Sequence, residues 1–163
     1  MVTADHETGG IALGTGKYAL NHKALENQKA SAEVLSKKIS DLRKAKNNHV
    51  AWEDIKNLLS EEMGFWSVLP ITWEQEKKLR DEYEKSFVRN KVEFAESMYA
   101  KTEPMAAKAK EVMDQIAMVG WTSGGHSAGY VPVFAIGAGS DLFIGKMDNT
   151  EIPKRIAKAG GYK

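Results

Sequence analysis

The sequence predicts an α/β fold in which short strands near the two ends of the chain flank a large helical segment. Residues 18–118 are rich in Lys, Glu, Ala and Leu and contain a single glycine, Gly64, as expected of helices. Apolar residues at 2–4 and at 131–136 have the composition of strands. We therefore expect a few short strands beside the helices, among them residues 2–4.

Apolar side chains recur at helical spacing through residues 18–118 and predict four helices. Leu25, Leu35 and Ile39 belong to one apolar stripe between residues 21 and 46. Thr72 and Gln75 have the spacing of a capping box, which predicts the start of a long helix. Pro104 suits the first turn of a further helix. The predicted helices span 21–46, 52–63 with Gly64 as terminator, 72–101 and 104–120.

Two connecting regions complete the prediction. The apolar connector 65–70 would be costly to leave in water, so we expect it to pack beneath the helices or to close over a cleft, and packing beneath the helices is the favoured interpretation. Near the C-terminus, 131–136 is predicted to be a strand whose Pro132 places it at a strand start or a sheet edge. Residues 142–144 follow as a second short strand, and a last helix is predicted from the cap spacing of 148 and 151 to Ala159.

Composition excludes several classes of function. The 163 residues carry 23 Lys and Arg against 22 Asp and Glu, a net charge of +1 that gives no basis for binding nucleic acid or an anionic membrane. No apolar run reaches the roughly 18–20 residues of a membrane helix. The N-terminus lacks the basic and then apolar pattern of a signal peptide. Cysteine is absent, so any metal site must use oxygen and nitrogen ligands.

Three side chains are candidate metal ligands. Asp5 and His6 stand together just before a turn that Gly9 and Gly10 permit, and His126 lies in a second glycine-rich stretch. Carboxylate oxygen and imidazole nitrogen suit zinc, which usually takes three or four protein ligands. The metal-ligand prediction is therefore Asp5, His6 and His126.

Three sequence blocks carry a resemblance to a known family. TADHETGG at 3–10, WTSGGHSAGYVPVFAIG at 121–137 and DLFIGKMDNTEIPKRI at 141–156 resemble the C-terminal half of bacterial alkaline phosphatases. The resemblance implies part of the alkaline-phosphatase-like α/β sandwich, with residues 1–17 and 119–163 in its core and 18–118 as a helical insertion. It implies only a few strands of a truncated central sheet, with residues 2–4 as the remainder of a buried strand. It also implies that Asp5 and His6 bind the zinc beside the nucleophile, and that His126 binds the other zinc.

The resemblance further implies a function for the intact enzyme. Such an enzyme uses two zinc ions and magnesium to hydrolyse phosphate monoesters through a phosphoserine intermediate. It is usually periplasmic or extracellular, and a homo-oligomer is possible. The family's Asp-Ser-Ala nucleophile and its remaining metal ligands have no counterpart here, so we expect an inactive C-terminal fragment. Asp141 and Asp148 correspond to no ligand of the family.

Two alternatives to this interpretation have sequence support. The stretch 125–129 fits the G-x-S-x-G pattern of serine hydrolases, but a predicted helix precedes it, a strand follows it, and no histidine comes after Ser127. We therefore assign no catalytic residue. The second alternative is a non-catalytic helical interaction module in which 20–118 bind a partner and the metal motifs are relics. A molecular mass that rises with protein concentration, together with unchanged behaviour of the protein in chelator, would favour that module.

Overall fold

A computed structural model of the chain describes residues 1–16, 18–96 and 101–162 and divides into two compact units. One unit comprises 11–125, here called the helical unit. The other comprises 1–10 with 126–163, here called the motif unit. Three residues of the predicted elements lie outside the described residues. They are Lys17 at a predicted domain end, Met98 in the predicted third helix and Lys163 at the C-terminus. The assignment of 18–118 as an insertion stays a prediction.

Within its described residues, the helical unit is built mainly from four α-helices. Two short antiparallel pairs accompany them, β1 with β4 and β2 with β3. The elements in chain order are β1 Ile11–Leu13, a 3₁₀ helix His22–Asn27, α1 Ala32–Ala45, α2 Trp52–Met63, α3 Trp73–Tyr83, a π-helical turn Glu84–Val88, β2 Ala95–Glu96, β3 Lys101–Thr102, α4 Pro104–Ala117 and β4 Val119–Trp121.

Local signals fixed several of these boundaries as predicted. α2 has the predicted bounds, and Gly64 ends it in the left-handed conformation at φ 71°. Both hydrogen bonds of the predicted capping box at the start of α3 are present, at 3.3 Å from Gln75 N to Thr72 Oγ1 and 3.0 Å from Thr72 N to Gln75 Oε1. Pro104 occupies the first turn of α4. The structure confirms these three predictions.

The helices share one apolar core. Leu35 and Ile39 of α1 face it, and so does Ile55 of α2. Phe65 is fully buried, which confirms that the connector packs against the helices, although Val68 within the same connector is exposed. The strongest burial comes from α4, where the residues Met105, Ala106, Ala109, Val112, Met113 and Ala117 are inaccessible to solvent.

Three predictions in the helical unit were wrong. The 21–46 segment is not one helix, because Ser31 caps a new helix by accepting from Val34 N, and Leu25 in the preceding 3₁₀ helix is largely exposed. The helix that begins at Trp73 ends in the π-helical turn by Val88 instead of continuing to 101. α4 stops at Ala117, because Met118 adopts the left-handed conformation before Gly120 is reached. The pairing of β1 with β4 was not predicted.

The motif unit contains a 3₁₀ helix, Ser140–Phe143, and α5, Glu151–Ala159. α5 confirms the predicted last helix. The buried strand predicted at 2–4 was wrong, because Val2 is 70% exposed and, within the described residues, makes only an isolated bridge. The strands predicted at 131–136 and 142–144 were also wrong. The first is extended chain that makes a single antiparallel bridge, Phe134 to Val2, among the described residues, and Phe134 remains 65% exposed. In the second, Leu142 and Phe143 belong to the 3₁₀ helix that follows Gly139 at φ 79°, and Ile144 comes directly after that helix.

Candidate metal-binding site

The bridge between Val2 and Phe134 fixes the position of the first motif. Val2 N donates to Phe134 O at 2.7 Å, and Phe134 N donates to Val2 O at 2.9 Å. Thr3 Oγ1 adds a bond to Pro132 O at 3.1 Å. Together these three hydrogen bonds hold the backbone segment that leads directly into Asp5 and His6.

One carboxylate oxygen of Asp5 and one ring nitrogen of His6 lie close together. Asp5 Oδ2 lies 3.4 Å from His6 Nε2. Asp5 Oδ1 accepts from His6 N at 3.0 Å, which fixes the rotation of the carboxylate. Two ligands of a tetrahedral zinc ion, each roughly 2.0–2.1 Å from the metal, lie about 3.3–3.4 Å apart. The spacing of this pair therefore matches two ligands of one zinc ion.

The other nitrogen of the His6 ring is held by the backbone. His6 Nδ1 lies 2.9 Å from Glu7 O. A carbonyl oxygen can only accept, so this hydrogen bond forms in the tautomer that carries its proton on Nδ1, and in that tautomer Nε2 has the lone pair that a metal needs. The Thr8 hydroxyl also lies 3.4 Å from Nδ1. Metal-ligating histidines generally donate their second ring N–H to a carbonyl or carboxylate in this way.

His126 lies beside His6 although 120 positions separate the two residues in the chain. The two ring centroids are 3.6 Å apart, and the rings are tilted by 32°. Both residues are accessible to solvent, as is Asp5, whose side chain is 86% exposed. The structure therefore brings all three predicted residues to one place on the motif unit. Their role as metal ligands stays a prediction.

The donor chemistry fits zinc, whereas the number of donors gives only a partial site. Among the described residues, no group of three or more His, Asp or Glu side chains is arranged to hold one ion. A structural or catalytic zinc ion ordinarily requires at least three protein ligands. Asp5 and His6 therefore fit as two ligands of one ion, which is fewer than a complete zinc site needs.

Glu7 is a residue of the site that the sequence analysis did not identify. Its Oε1 accepts from Gly10 N, and its Oε2 accepts from Ser127 N at 3.1 Å and from the Ser127 hydroxyl. The only sequence signal was a carboxylate next to His6 and ahead of two glycines, both of which have positive φ. That signal does not indicate a contact with the His126 segment.

A cavity of about 500 Å³ opens beside Asp5. Thr3, Ala4, Asn149, Thr150, Ile152 and Pro153 complete its lining. Hydrogen bonds from the Thr150 hydroxyl at 2.7 Å and the Thr150 amide at 2.9 Å hold the pKa of the nearby Asp148 carboxyl below its usual range. A larger cavity, about 650 Å³, is lined by Ser140 and by residues 130–135 and 143–147, but by none of the predicted ligands.

Comparison with known proteins identifies the family. The sequence model of the alkaline phosphatase family matches residues 1–162. The chain belongs to the alkaline phosphatase family. Alkaline phosphatase 3 of Bacillus subtilis is 30% identical over 99% of this chain and 30% of its own length. Alkaline phosphatase 4 of the same organism is 25% identical over 97% of this chain and 28% of its own length.

A solved structure supports the same fold. The crystal structure of a cold-active alkaline phosphatase from the psychrophile Shewanella sp. superposes with a TM-score of 0.59, at 22% identity, over 96% of this chain and 32% of that protein. This similarity confirms the predicted alkaline-phosphatase-like fold. The chain spans about 30% of the length of the relatives it matches. Within the described residues, no helix is both long and apolar enough to cross a membrane.

Proposed function

We propose that this chain contributes part of the metal centre of a zinc-dependent alkaline phosphatase that hydrolyses phosphate monoesters. Asp5 and His6 are assigned to one zinc ion, and His126 is assigned to a second. The observation that carries the proposal is the 3.4 Å spacing of Asp5 Oδ2 and His6 Nε2. Family membership supports the phosphatase function as a whole.

Asp5 and His6 each have a task that follows from their contacts. Zinc, when bound, supplies positive charge that stabilises the phosphoryl oxygens during displacement. Asp5 and His6 are pre-oriented for binding because a backbone amide fixes the carboxylate and a backbone carbonyl fixes the imidazole. The cavity beside Asp5 gives a phosphate monoester access to this position. Less of the required order must then be created when the metal and substrate bind.

We assign no nucleophile to the described residues. The Ser127 hydroxyl donates to Glu7, and Ser123 Oγ donates to Gly125 O at 3.0 Å, so neither has a histidine base as its hydrogen-bond acceptor. We propose that the nucleophile, the remaining zinc ligands and the magnesium site belong to parts of a family-length protein that this chain does not match. The 163 residues alone are then inactive, and the complete enzyme acts in the periplasm or outside the cell.

Zinc binding tests the ligand assignment directly. Calorimetric titration of the chain with zinc is expected to show binding that is weakened by His6→Ala and by Asp5→Ala. His49→Ala is the matched control, because His49 is also exposed and its Nδ1 also lies 2.9 Å from a backbone carbonyl, that of Asn47. Equal zinc affinity in the His6 and His49 variants would remove the assignment.

A second assay tests the proposal that the chain lacks a nucleophile. With zinc and magnesium added at alkaline pH, we expect no hydrolysis of p-nitrophenyl phosphate above the level of the His126→Ala variant. Clear turnover that disappears in that variant would show that the 163 residues contain a complete active site, and Ser127 and Ser123 would then be the first candidates for the nucleophile.

A further inference from the structure

We infer that Glu7 is a positioning residue that holds the segment carrying His126 against the turn carrying Asp5 and His6. The consequence of this contact for zinc affinity rests on the proposed function. The contact itself is a property of the protein without metal. It is assigned from the hydrogen bonds of one carboxylate and from the glycine that packs on it.

The Glu7 carboxylate joins the two motifs through three donors. Gly10 N donates to one oxygen, and Ser127 contributes both its amide and its hydroxyl to the other. Hydrogen bonds to an ionised carboxylate are shorter and stronger than bonds between neutral groups. The side chain is half-buried, in contrast with the exposed Asp5 and His6 beside it. Glu7 therefore fixes the second motif at the residue that directly follows His126.

The same residue also holds the first histidine. Glu7 O accepts from His6 Nδ1, while the Glu7 side chain binds Ser127. One residue thus contacts His6 through its main chain and the neighbour of His126 through its side chain. The 3.6 Å separation of the two imidazole rings follows from this double attachment.

Gly129 shows that the fit around Glu7 is close. A Cβ atom at this position would lie 2.9 Å from Glu7 Cγ and 3.4 Å from Ser127 Oγ. Any larger residue would push the glutamate side chain away from its donors, since real Cβ contacts are not that short. Gly9 and Gly10 supply the turn that aims the Gly10 amide at the carboxylate, with φ of 75° and 59°.

Substitution of Glu7 by glutamine tests the positioning role without a change in side-chain size, and a control variant accounts for the lost charge. Glutamine retains the shape of glutamate but offers one acceptor oxygen, so either Gly10 N or Ser127 N must face an NH₂ group. Glu151→Gln is the matched control. It removes the same charge from the motif unit, and Glu151 instead pairs with Lys154 on α5. Ser127→Ala, which keeps the Ser127 amide as donor, is a milder variant of the same contact.

The first readout needs no metal. In the chain without zinc, we expect nuclear Overhauser contacts between the ring protons of His6 and His126, because their rings are 3.6 Å apart. These contacts should disappear in Glu7→Gln and Gly129→Ala, weaken in Ser127→Ala and persist in Glu151→Gln. Amide resonances of the helical unit serve as the check that each variant is folded.

The second readout is zinc affinity, with the metal alone as probe. Removal of a group that orients a ligand typically weakens metal binding by about 10–100-fold, and we expect a loss of about 10-fold or more in Glu7→Gln but none in Glu151→Gln. If ring contacts persist in a folded Glu7→Gln variant, or are absent from the unsubstituted chain, the inference is overturned. If the unsubstituted chain binds no zinc, the ligand proposal fails, while the ring contacts still decide the role of Glu7.

Discussion

Replacement of Glu103 by alanine should strongly destabilise the helical unit. Glu103 is only 1% exposed and precedes α4. Its Oε2 accepts from Met105 N at 2.7 Å and Ala106 N at 3.2 Å, so it caps the helix. Its Oε1 accepts from Arg43 Nη2 at 2.9 Å. Alanine removes the cap and the ion pair together.

The expected loss follows from what remains buried. The Arg43 side chain is 14% exposed and lies over the Phe87 ring at 3.6 Å, so its charge has little access to water. Removal of one partner from a buried ion pair costs about 3–5 kcal/mol. Loss of an N-cap costs about 1 kcal/mol by itself, but the two effects share one side chain and do not add. We therefore expect the free energy of unfolding to fall by about 3–5 kcal/mol.

Chemical denaturation followed by tryptophan fluorescence measures this change, because Trp52 and Trp66 both belong to the helical unit. Glu111→Ala is the control on the same helix. Glu111 pairs with two lysines at the surface, and exposed ion pairs contribute only about 0–1 kcal/mol. A Glu103→Ala loss no larger than the Glu111→Ala loss would refute the reasoning.

A double-mutant cycle isolates the ion pair from the cap. Arg43→Met with Glu103→Gln removes both charges and keeps an oxygen acceptor for the first amides of α4. The double variant should be more stable than the sum of the two single effects predicts, by about 1–3 kcal/mol. Additive effects would show that the pair does not stabilise the fold through its charges.

Two further predictions concern a helix end and an acid titration. Gly64→Ala should destabilise the helical unit by more than about 1 kcal/mol in thermal unfolding, because φ is 71° and the new Cβ would lie 2.9 Å from Asn27 Cβ. Gly161→Ala is the control for backbone strain alone, because Gly161 has φ 68° and a Cβ there would have no neighbour within 4 Å. Equal losses of stability in the two variants would contradict a contribution from the contact with Asn27. Since the Thr150 bonds lower the pKa of Asp148 in the folded state, they stabilise the motif unit above the unfolded pKa, and this contribution is lost as pH falls through the folded pKa. An NMR titration in which Thr150→Val leaves the Asp148 pKa unchanged would contradict this cause.

Sequence predicted the parts of the fold whose signals are local. Gly64 ends α2 and the pair Thr72 and Gln75 starts α3, because each signal involves backbone groups within four residues. Pairing across the chain gave no such signal. β1 meets β4 over more than 100 positions, and nothing in either three-residue segment specifies the partner. The failure at 131–136 has the same origin, since β-branched composition does not supply a neighbouring strand.

The helical interaction module loses part of its support in the structure. Its premise was long amphipathic helices with faces available to a partner. The apolar faces of α1, α2 and α4 instead pack together in one core, and Val112 and Met113 are inaccessible to solvent. A helix whose apolar stripe is already buried can present only its charged face to a partner. A charged face gives a weaker basis for association than an apolar one.

The candidate site shows what resemblance supplied and what it left out. Asp5, His6 and His126 were selected by motif, and the structure places them together, which spacing alone could not establish. The motif did not indicate Glu7, because its task depends on Ser127, which is 120 positions away. A residue that binds metal has a recognisable chemistry, whereas a residue that aligns two segments is defined only by the contact it makes. Positioning residues of this kind therefore become visible when the fold is known, and their substitution should alter the separation of the histidines before it alters any reaction.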